Sequence, residues 1–367
     1  MEASLSSGAY TAELQRFDRN SLSSPEKSCD TATEPSAVFV RSALKNLLTS
    51  FRHRSDWVGP WHKRGLMAFK YMLRSACVPL RHARFLSFVA AHPQMRAYQQ
   101  RDPRMLERHN HRYMNVHSSL RERVEQVRQH YRFALTQLPS DLFELIYVFG
   151  YASLGCLSAK DGSLLTLFLR PPISNGCEGE LYLQLCDSNE DPLYSIVFTV
   201  SDEEPAIRIG CLQGPRGEGA KELVRELTRN MYGMRPKQLM LSLVYAFANH
   251  YGIKQLMGVS NEAHPLRRKG RAIFSDYDAF WEEQQGQLTK GGWYALPSTP
   301  THKSEAEVPS NHRSAFRKRE AFRLQAERLL INALVQPIPK LPDFQVPERQ
   351  KAKRPLRDLR VEASWVS

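Results

Sequence analysis

At residue 151 the apolar pattern of the chain changes period, and this switch restricts the fold to helices on the N-terminal side of a sheet-forming core. From residue 38 to 138 apolar residues recur every three or four positions, the spacing of amphipathic helices. The clearest helix spans residues 118–138. Leu120, Val124, Val127, Tyr131, Leu135 and Leu138 share one face, Arg121, Arg123, Arg128 and Arg132 lie opposite, and Pro139 stops the run. Two further helices are expected at 38–51 and 62–77. The Tyr, Phe and Trp residues interleaved with the basic ones fall at helical spacing, which favours a core role over stacking on nucleic-acid bases.

After residue 151 the pattern alternates. Segments 151–159 and 163–170 flank Lys160-Asp161-Gly162, a hairpin signal. Segments 179–186, 193–200 and 206–212 continue an antiparallel meander of about five strands, the last with Ile207, Ile209 and Cys211 facing inward. Helices are expected at 220–232, closed by Gly233, and at 236–251, opened by Pro236. A short apolar strand at 253–260 follows these crossover helices and so can lie parallel to the strand before them. A helix at 275–285 with Ser275 as N-cap, a strand at 291–296 and a basic helix at 310–334 complete the ordered part. The expected class is α+β: a disordered leader (1–37), a basic helical region (38–139), a mixed core (140–299), a linker with a basic helix (300–336) and a disordered tail (337–367).

Charge is distributed as unevenly as period. Residues 38–139 carry 19 Lys/Arg against 5 Asp/Glu, a net +14, while residues 140–299 carry 15 against 19. Such asymmetry points to an anionic partner, either a membrane surface or, less favoured, nucleic acid. No apolar run reaches the 18 or so residues of a spanning helix, and the N-terminus lacks the basic and apolar segments of a secretory signal. A cytoplasmic protein, peripheral at the inner membrane, is expected. Cys29, Cys77, Cys156, Cys177, Cys186 and Cys211 form no C-x-x-C pair and no zinc-ligand spacing, so reduced thiols and no metal are expected.

Three places can carry chemistry. The turn Gln213-Gly214-Pro215-Arg216-Gly217-Glu218-Gly219 precedes a helix, where backbone amides and the helix dipole favour a phosphate. It is no nucleotide P-loop, because Ala220 stands where Lys is required. Arg235 and Lys237 flank the start of the next helix, a second place suited to an anion. Ser260-Asn261-Glu262-Ala263-His264 follows the strand expected to be parallel, at the end where α/β sheets bind ligands. There His264 could act as a general base and Tyr277 as a general acid. Each of these also admits a bland reading as turn, solvated charge or packing residue.

Several strings together resemble the VirK/YbjX family, also called domain of unknown function 535: Gly179-Glu180-Leu181, Ile209-Gly210-Cys211-Leu212-Gln213-Gly214-Pro215, Gly233-Met234-Arg235-Pro236-Lys237, Gly258-Val259-Ser260-Asn261 and Ser275-Asp276-Tyr277-Asp278-Ala279-Phe280-Trp281. The resemblance runs from about residue 38 to 335. It implies a role in virulence or envelope defence, including tolerance of antimicrobial peptides, without an established activity. More loosely, the core resembles GNAT acyltransferases, whose phosphate turn is similar in the spacing of Gly214, Gly217 and Gly219, although Gly214 stands where Gln or Arg is expected. That resemblance implies acyl-CoA as ligand, its pyrophosphate on the 213–219 amides, Asn261 orienting the substrate and Tyr277 protonating the leaving thiolate. Two functions follow, an acyltransferase or a non-enzymatic basic module on an anionic surface. The first requires an open, anion-sized hollow beside the strand that ends near Leu212.

Overall fold

The computed structural model describes residues 37–172, 176–267, 276–300 and 304–336. The leader, the tail and the Ser275 cap lie outside the described residues. The chain divides at Val40/Arg41 into a short N-terminal unit and a main unit, which holds the sheet and the helices packed on it.

The helical region begins with α1 (Ala37–Ser50) and α2 (Trp61–Ala76). Two shorter helices, α3 (Pro79–Ala91) and α4 (Pro93–Arg101), each start on a proline, whose missing N–H costs nothing in the first turn. Then comes α5 (Leu120–Gln137). Its capping box has Ser119 accepting from the Glu122 amide while the Glu122 carboxylate accepts from the Ser119 amide. The short α6 (Ser140–Phe143) runs into a π-helical turn, Glu144–Phe149, closed by Gly150 at φ 109°.

The sheet follows as β1 (Ala152–Ser158), β2 (Leu164–Arg170), β3 (Leu181–Cys186), β4 (Pro192–Ser201) and β5 (Ala206–Gln213). Helices α7 (Ala220–Asn230) and α8 (Pro236–His250) cross over to β6 (Gln255–Val259), and α9 (Tyr277–Glu283), β7 (Gln287–Leu288), β8 (Trp293–Leu296) and α10 (Arg313–Val335) complete the order. The strands form one mixed sheet in the order β1-β2-β3-β4-β5-β6-β8-β7. The β5–β6 pair is parallel and the others are antiparallel. The antiparallel meander and the parallel strand after the crossover helices thus stand as the alternation of residues suggests.

One expectation is corrected. Cys211 does not share the inward face of Ile207 and Ile209. Phe198 pairs with Ile209 but Val197 with Cys211, so Gly210 is an extra residue in β5 and turns Cys211 to the opposite face, against Tyr182 and Val197. Glycine is required there, because a Cβ at 210 would lie 2.1 Å from the Glu178 carbonyl oxygen.

A single apolar cluster joins α3, α4 and α5 to the sheet and to α8 and α10. Phe133 of α5 lies edge-on to Tyr251, and Phe198 of β4 packs against Phe247 of α8. Three fully buried histidines stand in this body. The His82 Nδ1 lies 3.2 Å from His109 Nε2, and His130 Nε2 lies 2.8 Å from the Tyr147 hydroxyl. Burial lowers His82 to about 4 and His130 to about 3, and pushes His109 well below the usual histidine range, helped by the neighbouring His82. All three are neutral when folded but bind protons near pH 6.5 when unfolded. Their contribution is complete above that pH and is lost as pH falls toward 4 and then 3. Each histidine removes up to about 1.4 kcal/mol per pH unit in that window. The urea midpoint should therefore fall steeply between pH 6.5 and 4.5. Equal midpoints at pH 7.5 and 5 would contradict the burial of these rings.

Candidate functional site

The residues singled out around the parallel pair come together. Pairing of β5 with β6 ends at Ile209–Gly258, yet β5 continues to Gln213, so the two strands part at their C-terminal ends. Helix α9 occupies the gap. Asp276 caps it by accepting from the Ala279 amide. Asn261 clamps it: Nδ2 donates to Asp276 (2.8 Å), Oδ1 accepts from the Tyr277 amide (2.9 Å), and its own amide donates to Asp278 (2.8 Å). Tyr277, 4% exposed, reaches β5, where its hydroxyl donates toward Cys211 Sγ (3.6 Å) and accepts from the Leu212 amide (3.4 Å). Trp281 lies on Gly258 and donates to the Val259 carbonyl at 2.9 Å. The hollow expected beside Leu212 is thus filled by Tyr277 and Trp281, because only a glycine at 258 leaves room for the indole. Gly258→Ala would place Cβ 2.4 Å from that ring and should cost about 1–3 kcal/mol, read from thermal unfolding.

His264 is buried and stacks on Tyr277 at 5.2 Å between ring centroids. Its Nδ1 accepts from the Leu266 amide, and its Nε2 is 3.5 Å from the Glu178 carboxylate. Burial pushes Tyr277 well above the usual phenol range and Cys211 well above the usual thiol range. Both keep their protons at neutral pH. The Tyr277 hydroxyl and the Cys211 thiol thus stay protonated side by side, next to His264 and Glu178.

The glycine turn is only partly open. A Cβ at Gly214 would meet the Tyr194 ring at 2.4 Å, whereas Gly217 (φ 92°) and Gly219 (φ 78°, the N-cap of α7) face open space. Gln213 accepts from Arg216 at 2.6 Å. Arg235 pairs with Glu283, and Lys237, 3.8 Å from the same carboxylate, lies over the Phe280 ring at 4.5 Å. These two cations clamp α9 to the start of α8. Among the described residues no group of His, Cys, Asp and Glu could hold a metal ion.

A second place emerges on α2, where aromatics at helical spacing were expected to be core. Only Tyr71 and Ser75, four residues apart, turn inward. Leu66, Phe69 and Leu73, spaced three and four, form a stripe that points outward with exposures of 52, 54 and 57%, and Met72 widens it. Lys63, Lys70 and Arg74 run along one side of the stripe, and residues 61–76 include no acidic residue. Trp61, at the first position of the helix, is 83% exposed. The signal was present in the sequence as two apolar faces on one helix. Spacing alone does not say which face finds a core.

Among the described residues no helix is long and apolar enough to cross a membrane. The sequence pattern of a family described as a protein of unknown function (DUF535) matches residues 61–328. The uncharacterised protein YbjX of Escherichia coli (strain K12) is 29% identical over 266 residues, covering 71% of this chain and 80% of that protein. An uncharacterised protein of Haemophilus influenzae is 32% identical over 151 residues, 40% of this chain and 49% of its own length. A Mannheimia haemolytica protein named membrane protein LapB is 29% identical over 193 residues, 52% of this chain and 81% of its own. No solved structure matches. With its pattern matched over well more than half of the sequence, the chain belongs to the DUF535 family.

Proposed function

We propose that the protein is a peripheral module that docks on an anionic membrane surface through α2. The observation that carries this reading is the outward stripe of Leu66, Phe69 and Leu73 with Lys63, Lys70 and Arg74 along one side of it. A helix with one apolar and one cationic side lies in the plane of a bilayer interface, its apolar side among the acyl chains and its cations at the head groups. Trp61 at the exposed end of the helix has the amphipathic ring that favours the interfacial layer. Each Lys or Arg near an anionic leaflet adds about 1 kcal/mol at ordinary ionic strength. Arg41 and Lys45 on α1, beside the exposed Leu44 and Leu48, add the same kind of surface. The name of the Mannheimia relative, a membrane protein, agrees with this reading, as does the envelope role that the family resemblance implies.

Flotation with vesicles tests it. Vesicles containing phosphatidylglycerol should carry the protein upward, pure phosphatidylcholine vesicles should carry much less, and raising salt from about 50 to about 500 mM should weaken binding without abolishing it, roughly as screening of exposed charges requires. Equal recovery with both vesicle types, or none with either, would refute the reading.

A second reading keeps acyl-CoA as ligand at the turn after β5. It is favoured by the parting of β5 and β6 and by the open space at Gly217 and Gly219. It requires α9 to move, since Tyr277 holds the Leu212 amide. In it Tyr277 would donate the proton, His264 would accept one, and Asn261 would release α9. Calorimetric titration with acetyl-CoA and a longer acyl-CoA decides it, and no heat from either removes it.

A further inference from the structure

We propose that the paired rings of His82 and His109 form an acid-operated latch, which on taking up a proton lets α2 lift from the body while the sheet stays folded. The inference does not depend on what α2 meets outside the protein.

A line of hydrogen bonds with a single direction runs through the latch. The Ser50 hydroxyl donates to the Leu47 carbonyl and accepts from the Tyr71 hydroxyl at 2.9 Å. With its proton so used, Tyr71 accepts from His82 Nε2, also at 2.9 Å. His82 Nδ1 then carries no proton and accepts from His109 Nε2 at 3.2 Å. His109 Nδ1 is left with a bare lone pair, buried and without a partner among the described residues. The line ties together the end of α1, α2, α3 and the turn Arg108–Asn110.

An added proton has no good place in this line. On His109 Nδ1 it meets no acceptor. On His82 Nδ1 it makes that atom a donor, so His109 must accept through Nε2 and carry its own proton on Nδ1, with the same result. The surrounding charges add to the cost. Arg54, whose guanidinium lies 5.1 Å from the Tyr71 ring, repels a charge on His82, and Arg123 of α5 and His111 repel one on His109. The carboxylates of Asp56 and Glu107 are taken by Arg54.

Relief comes most cheaply at α2. Of its 16 residues only Tyr71 and Ser75 are buried, so little else holds the helix down. Lifting it breaks the Tyr71 bond and brings water to His82, which then binds its proton near pH 6.5, against about 4 when covered. The closed arrangement is therefore favoured in full above pH 6.5 and loses ground as pH falls toward 4. For one proton the opening equilibrium shifts by up to about ten-fold per pH unit.

The test is hydrogen exchange of the full chain free in solution, read by mass spectrometry and corrected for the intrinsic exchange rate at each pH. Between pH 6.5 and 4.5 the protection of peptides within 61–76 should fall about a hundred-fold. It should stay below that of β4 and β5 throughout, the mark of a local opening. His82→Gln keeps both bonds, with an amide N–H toward Tyr71 and an oxygen toward His109, but takes up no proton, so the fall should shrink to about ten-fold or less. Tyr71→Phe cuts the line between α2 and His82 and should lower α2 protection about ten-fold already at pH 7.5, which serves if His82→Gln fails to fold. The latch is overturned if the parent shows no pH-dependent loss, if His82→Gln shows the full loss, or if Tyr71→Phe leaves α2 protection at pH 7.5 unchanged. Equal protection of α2 and the strands at every pH also overturns it, since the opening is then of the whole fold.

Discussion

Glu180→Ala is expected to destabilise the protein by about 3 kcal/mol, because it leaves a fully buried guanidinium with one carboxylate, Asp102, instead of two. Glu180 is fully buried at the head of β3 and receives Arg108 Nη1 at 2.7 Å. Arg108, 1% exposed, also gives Nη2 to Asp102 at 2.5 Å and Nη1 to the Tyr98 and Tyr131 hydroxyls at 2.8 and 2.9 Å, and Tyr131 donates to Glu180 as well. The pair joins the segment after α4 to the sheet, so its loss loosens the packing of the helical layer on the strands. Taking charges out of water offsets most of their attraction, so Arg108→Met with Glu180→Leu should cost well under the sum of the two single changes. Urea unfolding of Glu180→Ala and of the four proteins of this cycle measures both. A loss below about 1 kcal/mol for Glu180→Ala would mean that the guanidinium is in contact with water.

The second large effect is on binding. Phe69→Asp with Leu73→Asp should reduce affinity for phosphatidylglycerol vesicles about a thousand-fold and leave the unfolding midpoint nearly unchanged. Both residues are more than half exposed, so folding loses little by their replacement. At a bilayer each apolar side chain stands to bury a further 1 kcal/mol or so of surface, and each new carboxylate meets an anionic leaflet at a cost of about the same size. The total of about 4 kcal/mol corresponds to roughly three decades in affinity. If the double variant instead unfolds readily, the stripe faces the protein; if it binds as before, the stripe does not meet lipid.

The sequence carried the element order well because most elements here are written in local pattern. Pro236 at the start of α8, Gly233 after α7 and Asp161-Gly162 in the first hairpin each state a boundary by their own backbone chemistry. What was not legible depends on distant partners. The reversal of Cys211 follows from one extra residue, Gly210, whose need is set by the Glu178 carbonyl. The two short helices after residue 78 begin on Pro79 and Pro93, which read as breaks until the residues after them are seen to bury Phe85, Leu86 and Met95. Around the parallel pair, the adjacency of Asn261, His264 and Tyr277 was readable from position. The filling of the gap was not, since it turns on the indole of Trp281 meeting a glycine 23 residues earlier in the chain. On α2 the residue types were plain, but the choice of inward face is made by Tyr71, whose hydroxyl donates to Ser50 and lies 2.9 Å from His82.

Quenching of tryptophan emission by phosphatidylglycerol brominated along its acyl chains tests the docking claim most directly. Trp61 is the strongly exposed tryptophan among the described residues, so the parent protein should be quenched on these vesicles and Trp61→Phe should lose most of that quenching. Equal quenching of the two proteins, or none in the parent while it remains vesicle-bound, would show that α2 is not the part of the molecule that enters the bilayer.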